Sequence, residues 1–377
     1  MGRVVAFSEF YLPGFAGGGT IVSLSRIVSQ ETEHEFRVIT NDHDLGSAEA
    51  FPGTSPRSWF QVGRASVAYL RPGFGDIGWM ISELRSWKPD IYYVNSLQCP
   101  KFSLLPYLLR RIGLIPQAPL LVAPRGECGE AAQAHKSWKK RAARPLIRWL
   151  VGKDVIWQAS STAEAGDIER WYGRALPETQ RVLIRADPPP EPAATCSSGS
   201  GEDIPVIVFA SRIDQMKGLD TAFGVLGDLQ GPCVFRVYGV VSDGGYWIEC
   251  RRLAEKLPWN VRFEYMGPYV PEQTAAILSS ADAMLMPTKG ENFGHAIAEA
   301  LSVGCPIVIS RNTIWTDVAS NGGGCAGGVS ESTDYLMSLL RMQPAERMAL
   351  RDGVLAAYVR WHGRQAVEGS FLNGVLR

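Results

Sequence analysis

Short β-branched runs alternate with amphipathic runs along the whole chain, and the alternation breaks once and then starts again. In the first half, residues 4–7, 36–40, 67–70, 91–95, 120–123, 155–158 and 182–184 read as strands; in the second, residues 206–209, 234–238, 261–265, 283–286 and 307–310. Helical patterns fill most of the intervals. Ile21, Leu24, Ile27 and Val28 share one face after Thr20, and Ser161-Thr162-Ala163-Glu164 has the form of a capping box. The break, residues 187–203, reads DPPPEPAATCSSGSGED, a composition that cannot pack a core and reads as a linker. Strands alternating with helices on both sides of it predict an α/β fold of two Rossmann-like, doubly wound parallel-sheet domains facing across a cleft. The expected boundaries are 1–186, a linker at 187–203, 204–360, and a segment 361–377 that returns to the first domain.

Composition narrows the class of function. With 46% hydrophobic and 20% charged residues the chain is a soluble globular protein, and at 377 residues it exceeds one ordinary core. Lysine plus arginine (38) cancels aspartate plus glutamate (38), so no global field favours nucleic acid. The seven cysteines, odd in number and never in a C-x-x-C pair, read as reduced thiols with neither a disulfide framework nor a zinc site. The apolar run Arg3–Phe7 is too short for a signal peptide and no stretch spans a membrane, so a cytoplasmic location is expected. One local charge run stands out. Between Lys136 and Lys153 lie seven cations and no acid, with Trp138, Leu146, Trp149 and Leu150 interleaved. That segment fits peripheral contact with an anionic inner membrane face, or an ordinary helix with a basic outer face whose pattern Pro145 interrupts.

The stretch Lys289–Ser310, KGENFGHAIAEALSVGCPIVIS, says most about function. The run 283–286 ends at Pro287, so residues 288–294 become the loop at a strand's carboxyl end, where open α/β sheets collect ligands. From His295 the pattern is helical until Gly304. The N–H groups of Phe293, Gly294 and His295 then form an anion-binding end that Gly294 lets a phosphate approach. Glu291 and Glu299, eight positions apart, can hold two parts of one long polar ligand; taken alone, the two are equally readable as solvated surface acids. Arg212 and Lys217 follow the strand 206–209 and together can neutralise a diphosphate leaving group. Gly17-Gly18-Gly19 opens the first helix, although Val22 replaces the last glycine of G-x-G-x-x-G. Pro124-Arg125-Gly126-Glu127 follows the strand 120–123, so that Arg125 can meet a phosphate or an acceptor hydroxyl and Glu127 can orient a nucleophile, or the two form an internal pair. Asp42-His43-Asp44 has the D-x-D form that can bind manganese, but its place after the second strand reads as a polar turn, and no metal is expected.

Taken in order, these residues resemble family 4 of the retaining glycosyltransferases, of GT-B fold, in their bacterial polysaccharide and lipopolysaccharide type. The block GENFGHAIAEALSVGCPIVIS matches that family's E-x7-E motif and the run after it. The resemblance implies that Glu291 contacts donor-sugar hydroxyls, Glu299 the nucleotide ribose, and Arg212 and Lys217 the diphosphate. Gly18 and Gly19 would close over the diphosphate, and Asn292, Phe293, Gly294, Gly239 and Met266 would lie against the donor. The catalytic set expected is Glu291, Arg212, Lys217 and Arg125. No cofactor beyond the donor, a UDP-, GDP- or other nucleotide diphosphate sugar, is implied; the acceptor would be a glycan or a polyprenyl-linked glycan. Many relatives carry a cleft histidine after the fourth or fifth strand, and here those positions are Asn95-Ser96 and Pro124-Arg125-Gly126. A nucleotide-sugar epimerase and a non-catalytic nucleotide-sugar-binding partner subunit stand as alternatives.

Overall fold

A computed structural model describes residues 2–129, 133, 137–173, 175–196, 199, 204–365, 370 and 372–376, with side chains inside the helix Ser137–Val151 described from residue 142 onward. The chain forms two compact units, Met1–Pro188 with Glu368–Arg377, and Pro189–Val367. Each is a doubly wound α/β sheet, so the expected fold class is the one observed.

The first sheet has the order β3-β4-β2-β1-β5-β6-β7-β8. Its strands are β1 (Gly2–Phe7), β2 (His34–Asn41), β3 (Trp59–Val62), β4 (Ala65–Leu70), β5 (Ile91–Val94), β6 (Leu120–Val122), β7 (Ile156–Ala159) and β8 (Arg181–Ile184). Side chains of a strand alternate between faces, and here both faces are covered. Val5, Phe7, Tyr92 and Val94 join one core with Leu84, Leu109, Ile147 and Trp171, while Val4, Ala6, Ile91 and Tyr93 join another with Leu24, Ile27 and Val28. This two-sided burial is why the strands read as continuous apolar runs. Leu372 and Val375 complete the second core, and Asn373 Nδ2 donates to Glu33 Oε2 at 2.7 Å.

Two strands escape the sequence reading. β3 pairs antiparallel with β4 through the two-residue turn Gly63-Arg64, with Gly63 at φ 56°, so the sheet carries one antiparallel edge. In the second unit, β14 (Gly324–Ala326) has no β-branched residue at all. It pairs with β13 because Gly324 lets the backbones meet: a Cβ there would lie 2.0 Å from the Ile307 carbonyl oxygen.

The second sheet runs β11-β10-β9-β12-β13-β14, all parallel, from β9 (Val206–Ala210), β10 (Cys233–Tyr238), β11 (Val261–Gly267), β12 (Ala283–Met286) and β13 (Ile307–Ile309). Successive strands spread outward from β9 on one side and from β12 on the other. The point where that order reverses lies between β9 and β12 here, and between β1 and β5 in the first sheet, and the strands' carboxyl ends at such a point are where doubly wound sheets bind their ligands.

The stretch expected to be a linker is packed instead. Asp187 is 2% exposed and ion-paired to Arg125 within the first unit. In the second, Tyr358 donates its hydroxyl to the Pro190 carbonyl at 2.6 Å, and Ala193 N donates to Ser302 O at 2.8 Å. Proline fixes φ without needing a donor, so a proline-rich segment can lie extended against a folded unit wherever its carbonyls find partners. Residues 197–198 and 200–203 of that stretch lie outside the described residues.

Candidate functional site

In the second unit the loops after β9, β10, β12 and β13 are locked to one another at the reversal point. Gly218, at φ 73°, sits so close to the β12 end that a Cβ would fall 2.2 Å from the Pro287 carbonyl oxygen. Gly239 meets the β9 loop in the same way, with 1.9 Å from its would-be Cβ to the Ser211 carbonyl oxygen. Thr288, fully buried, donates its hydroxyl to Met216 O at 2.8 Å, and Lys289 N donates to the same carbonyl at 2.8 Å. Glu291 N donates to Asn312 O at 3.3 Å, which ties the β12 loop to the β13 loop.

These locks bring the expected side chains together. Asp214 caps the short turn Gln215–Lys217 by accepting from Met216 N at 2.9 Å, and the turn delivers Lys217 to Glu291, Nζ to Oε1 2.7 Å. The pair joins positions 74 residues apart, with side chains 17% and 9% exposed. An ammonium has three N–H groups and a carboxylate two oxygens, so this contact leaves both with capacity for a further polar ligand. Arg212 is 40% exposed and meets Asp214 at 3.8 Å, beyond hydrogen-bond distance.

The helix His295–Ser302 begins at Gly294, whose φ of 81° suits glycine, and the Gly294 carbonyl accepts from Ile297 N and Ala298 N. Trp315 lies beneath this turn: its Nε1 donates to Phe293 O at 2.5 Å and its ring meets Phe293 edge-on at 5.4 Å. Glu299 is half-buried on the same helix beside Tyr269, whose phenol is pushed above its ordinary value by burial first and by the Glu299 charge second. Gly239 N donates to Gly267 O at 2.9 Å, and Tyr265 donates its hydroxyl to Gly239 O at 3.0 Å. Met266 is 48% exposed along the same edge. Arg212, Lys217, Gly239, Glu291, Asn292, Phe293, Gly294 and Glu299 are thus all carried on the carboxyl-end loops of one sheet or the helix that follows, and Met266 lies at the carboxyl end of β11 itself.

The first unit treats its candidates differently. Gly18, at φ 68°, caps the helix Gly19–Gln30, and the loop before it is held by Asp44, whose Oδ2 accepts from Phe15 N at 2.8 Å and Ala16 N at 3.0 Å. Asp42 Oδ1 lies 2.9 Å from His43 Nδ1, so the two aspartates serve separate local contacts. Among the described residues no cluster of three or more histidine, cysteine or acidic side chains could hold a metal ion.

Arg125 departs from the expectation of an open phosphate or acceptor ligand. Its side chain is 6% exposed. Nε donates to Asn95 Oδ1 at 2.7 Å, Nη2 to the Tyr93 hydroxyl at 2.7 Å, and Nη1 to Asp187, so every guanidinium nitrogen is engaged. A buried guanidinium must find partners for its charge and its donors, and Asp187, read as linker, supplies the charge. Glu127 turns to Ser96 Oγ at 2.6 Å and Leu97 N at 3.1 Å. Ser161 caps its helix as the capping box predicts, but Glu164 reaches Gly126 N and Ser160 N, each at 2.7 Å, and so fixes the turn that presents Arg125.

Sequence reasoning missed Asp214, Thr288 and Trp315. An aspartate two residues before the turn's centre is a readable cap signal. Thr288 and Trp315 act on backbone carbonyls far away in sequence and leave no local pattern.

Residues 195–348 match the family model for glycosyl transferases group 1. Sulfoquinovosyl transferase SQD2 of Arabidopsis thaliana is 23% identical over 246 residues, 62% of this chain and 44% of that protein. A D-inositol 3-phosphate glycosyltransferase of Xylanimonas cellulosilytica is 30% identical over 162 residues, 40% of this chain and 39% of that protein. The chain therefore spans less than half the length of these curated relatives. Similar solved structures include WaaG, a glycosyltransferase involved in lipopolysaccharide biosynthesis (TM-score 0.64, 14% identity, 99% of this chain and 98% of that one). Anabaena Alr3699/HepE in complex with UDP-glucose gives a TM-score of 0.65 at 14% identity, over 99% of this chain and 100% of that one. At such identities the likeness carries the fold, the GT-B pairing of two parallel-sheet α/β domains.

Proposed function

We propose that the chain is a glycosyltransferase that moves a hexose from a nucleotide diphosphate sugar to a hydroxyl of a glycan or lipid-linked acceptor. The observation that carries this reading is the Lys217–Glu291 pair beside the Gly294 helix start, at the reversal point of a sheet whose sequence matches the group 1 family model. A diphosphate needs cationic and N–H partners while a sugar ring needs hydroxyl acceptors, and this pair supplies one of each at a single point.

In the proposed reaction Arg212, Lys217 and the N–H groups at Gly294 stabilise the departing diphosphate. Glu291 and Glu299 hold the sugar and the ribose. Gly239 and Met266 border the base. The anomeric configuration is kept: the bond from the anomeric carbon to the diphosphate oxygen breaks, the acceptor oxygen bonds on the same face, and the leaving phosphate takes the acceptor's proton. Arg125, buried and fully engaged, fixes Asn95 and Asp187 within the first unit. No metal is required, and the setting is cell-surface polysaccharide assembly in the cytoplasm. Support for the donor class comes from relatives with the same fold, one of them solved with UDP-glucose.

Thermal-shift screening against uridine, guanosine and adenosine diphosphate sugars, followed by turnover of the best binder in chelator, tests the reading. Full turnover in chelator keeps the metal-free mechanism and abolished turnover rejects it. Lys217→Ala should cut turnover far more than nucleotide binding. Equal losses would contradict a role in leaving-group stabilisation, and release of an epimerised sugar without acceptor would move the assignment to an epimerase.

A further inference from the structure

The first unit carries an apolar surface framed by arginines, built from two helices and the turn that follows the first of them. The helix Leu105–Arg111 buries Tyr107 and Leu109 and leaves Leu108 and Arg111 outside. The chain then turns at Gly113, φ 74°, with Ile112 and Leu114 exposed on either side of it. The helix Ser137–Val151 packs on the first through Ile147 and Leu150, and turns Ala142, Pro145, Leu146 and Trp149 to solvent. Those four share one helical face, the face that is polar on an ordinary surface helix. Ile112, Leu146 and Trp149 are 54%, 55% and 50% exposed. The Arg111 guanidinium lies over the Trp149 ring at 5.4 Å and joins the two helices' surfaces, and Arg85 Nε donates to Leu114 O at 2.8 Å.

The chain segments that build the two helices and the turn carry charge of one sign. No acid occurs between Asp90 and Glu127 or between Glu130 and Asp154. Asp154 is taken by Arg110 at 2.5 Å. The basic run is divided in use: Arg148 Nη2 donates back to Trp171 O at 2.8 Å and Arg144 Nη2 to Gln133 Oε1 at 3.4 Å. Arg85 and Arg111 flank the patch, and the sequence puts Lys139, Lys140 and Arg141 in the same helix just before Ala142. Lys136 lies outside the described residues, as do the side chains of residues 139–141.

We infer that this face, formed by Leu108, Ile112, Leu114, Leu146 and Trp149 with Arg85 and Arg111, docks the protein onto an anionic lipid bilayer. An exposed indole and long aliphatic side chains bordered by arginines match what the headgroup boundary accepts: apolar groups enter the acyl edge while the guanidiniums stay among phosphates. Among the described residues no helix is long and apolar enough to cross a membrane, so the contact is interfacial. Bilayer docking would deliver the protein to the lipid-linked acceptor named above and rests on that reading only for its purpose.

Sedimentation of the full chain with phosphatidylcholine vesicles containing about 30 mol% phosphatidylglycerol, and with phosphatidylcholine alone, tests it. Binding should require the anionic lipid. Leu146→Gln with Trp149→Gln should lower the partition coefficient about tenfold or more, and Ile112→Gln alone, on an exposed turn, should lower it several-fold. Both variants should keep the wild-type melting temperature. A wild-type chain that stays in the supernatant, or a double variant that partitions like wild type, overturns the inference. So does a wild-type dimer in light scattering that the double variant abolishes, because the patch then belongs to a second copy. Donor turnover without vesicles is read in parallel, so that absent turnover with intact vesicle binding counts against glycosyl transfer and not against docking.

Discussion

The Lys217–Glu291 contact makes a prediction that separates holding the site together from performing chemistry in it. Lys217→Met keeps the aliphatic stem but strands a carboxylate that is 9% exposed, and an unpaired charge at such a position costs about 2–4 kcal/mol of stability. Glu291→Gln leaves an ammonium that is 17% exposed facing a neutral acceptor, a milder change of about 1 kcal/mol. In the double variant neither charge is stranded, so its loss should fall short of the sum by about 1–3 kcal/mol. Equilibrium urea unfolding followed by tryptophan emission and far-ultraviolet circular dichroism reads this, and coincidence of the two probes tests whether one free energy describes a chain of two units. Turnover should behave oppositely: Lys217→Met loses it, and the double variant regains stability without regaining activity. Additive stabilities within about 0.5 kcal/mol would refute the pairing argument. Recovered turnover in the double variant would show that the two residues matter only to each other.

Gly218→Ala should be far worse than its size suggests, because the added Cβ lies 2.2 Å from a backbone carbonyl that cannot swing away. A loss above roughly 3 kcal/mol together with lost nucleotide thermal shift is expected, whereas Gly224→Ala, on an open helix face, should stabilise by roughly 0.5–1 kcal/mol. Arg125→Lys should destabilise the chain by about 3–5 kcal/mol in urea unfolding, since one ammonium cannot reach Asn95, Tyr93 and Asp187 together. A native titration with a disulfide reagent should label Cys196 and Cys325 first, with buried Cys99, Cys128, Cys233, Cys250 and Cys305 reacting only on unfolding. Burial pushes the Cys250 thiol up to about 11 and Cys305 up to about 12. A group whose native value is raised contributes stability below its unfolded value, about 8.5, and loses it as pH climbs through the native one. The urea midpoint should therefore fall progressively above pH about 9.

How far the sequence could be read follows from where each interaction lies along the chain. Strand cores were legible because a parallel strand covered on both faces must be apolar at consecutive positions, as in Val4–Phe7 with its side chains divided between two cores. The glutamate block and the two cations were legible because strand-end loops gather at the reversal point in any doubly wound sheet. β14 was not, since Gly324-Cys325-Ala326 pairs through backbone proximity that only glycine permits and has no strand-like composition. Arg125 looked like an open ligand because an arginine in a loop reads the same whether solvated or buried. Its counter-ion, Asp187, stood in a proline-rich stretch that composition assigns to linker. Glu164 completes the point: one carboxylate within a recognisable cap was diverted to the loop 38 residues earlier in the chain.

The geometry also bears on whether Glu291 acts as a covalent nucleophile in the proposed retaining reaction. Its Oε1 receives a hydrogen bond from the Lys217 ammonium at 2.7 Å, which stabilises the carboxylate and weakens it as an attacking group, while Asn312 O fixes its backbone N–H. A carboxylate so held is suited to accept from sugar hydroxyls. Glu291→Gln retains a carbonyl oxygen able to accept from both Lys217 and a hydroxyl, so a binding role predicts that turnover drops by roughly 10- to 1,000-fold and stays measurable. A nucleophile role predicts loss beyond roughly 10,000-fold, because an amide oxygen cannot form the glycosyl-enzyme ester, together with a wild-type mass adduct of one hexose on rapid quench. Residual turnover in the variant without an adduct in the wild type fits the front-face route, in which the leaving phosphate takes the acceptor's proton. A trapped adduct on Glu291 would overturn it.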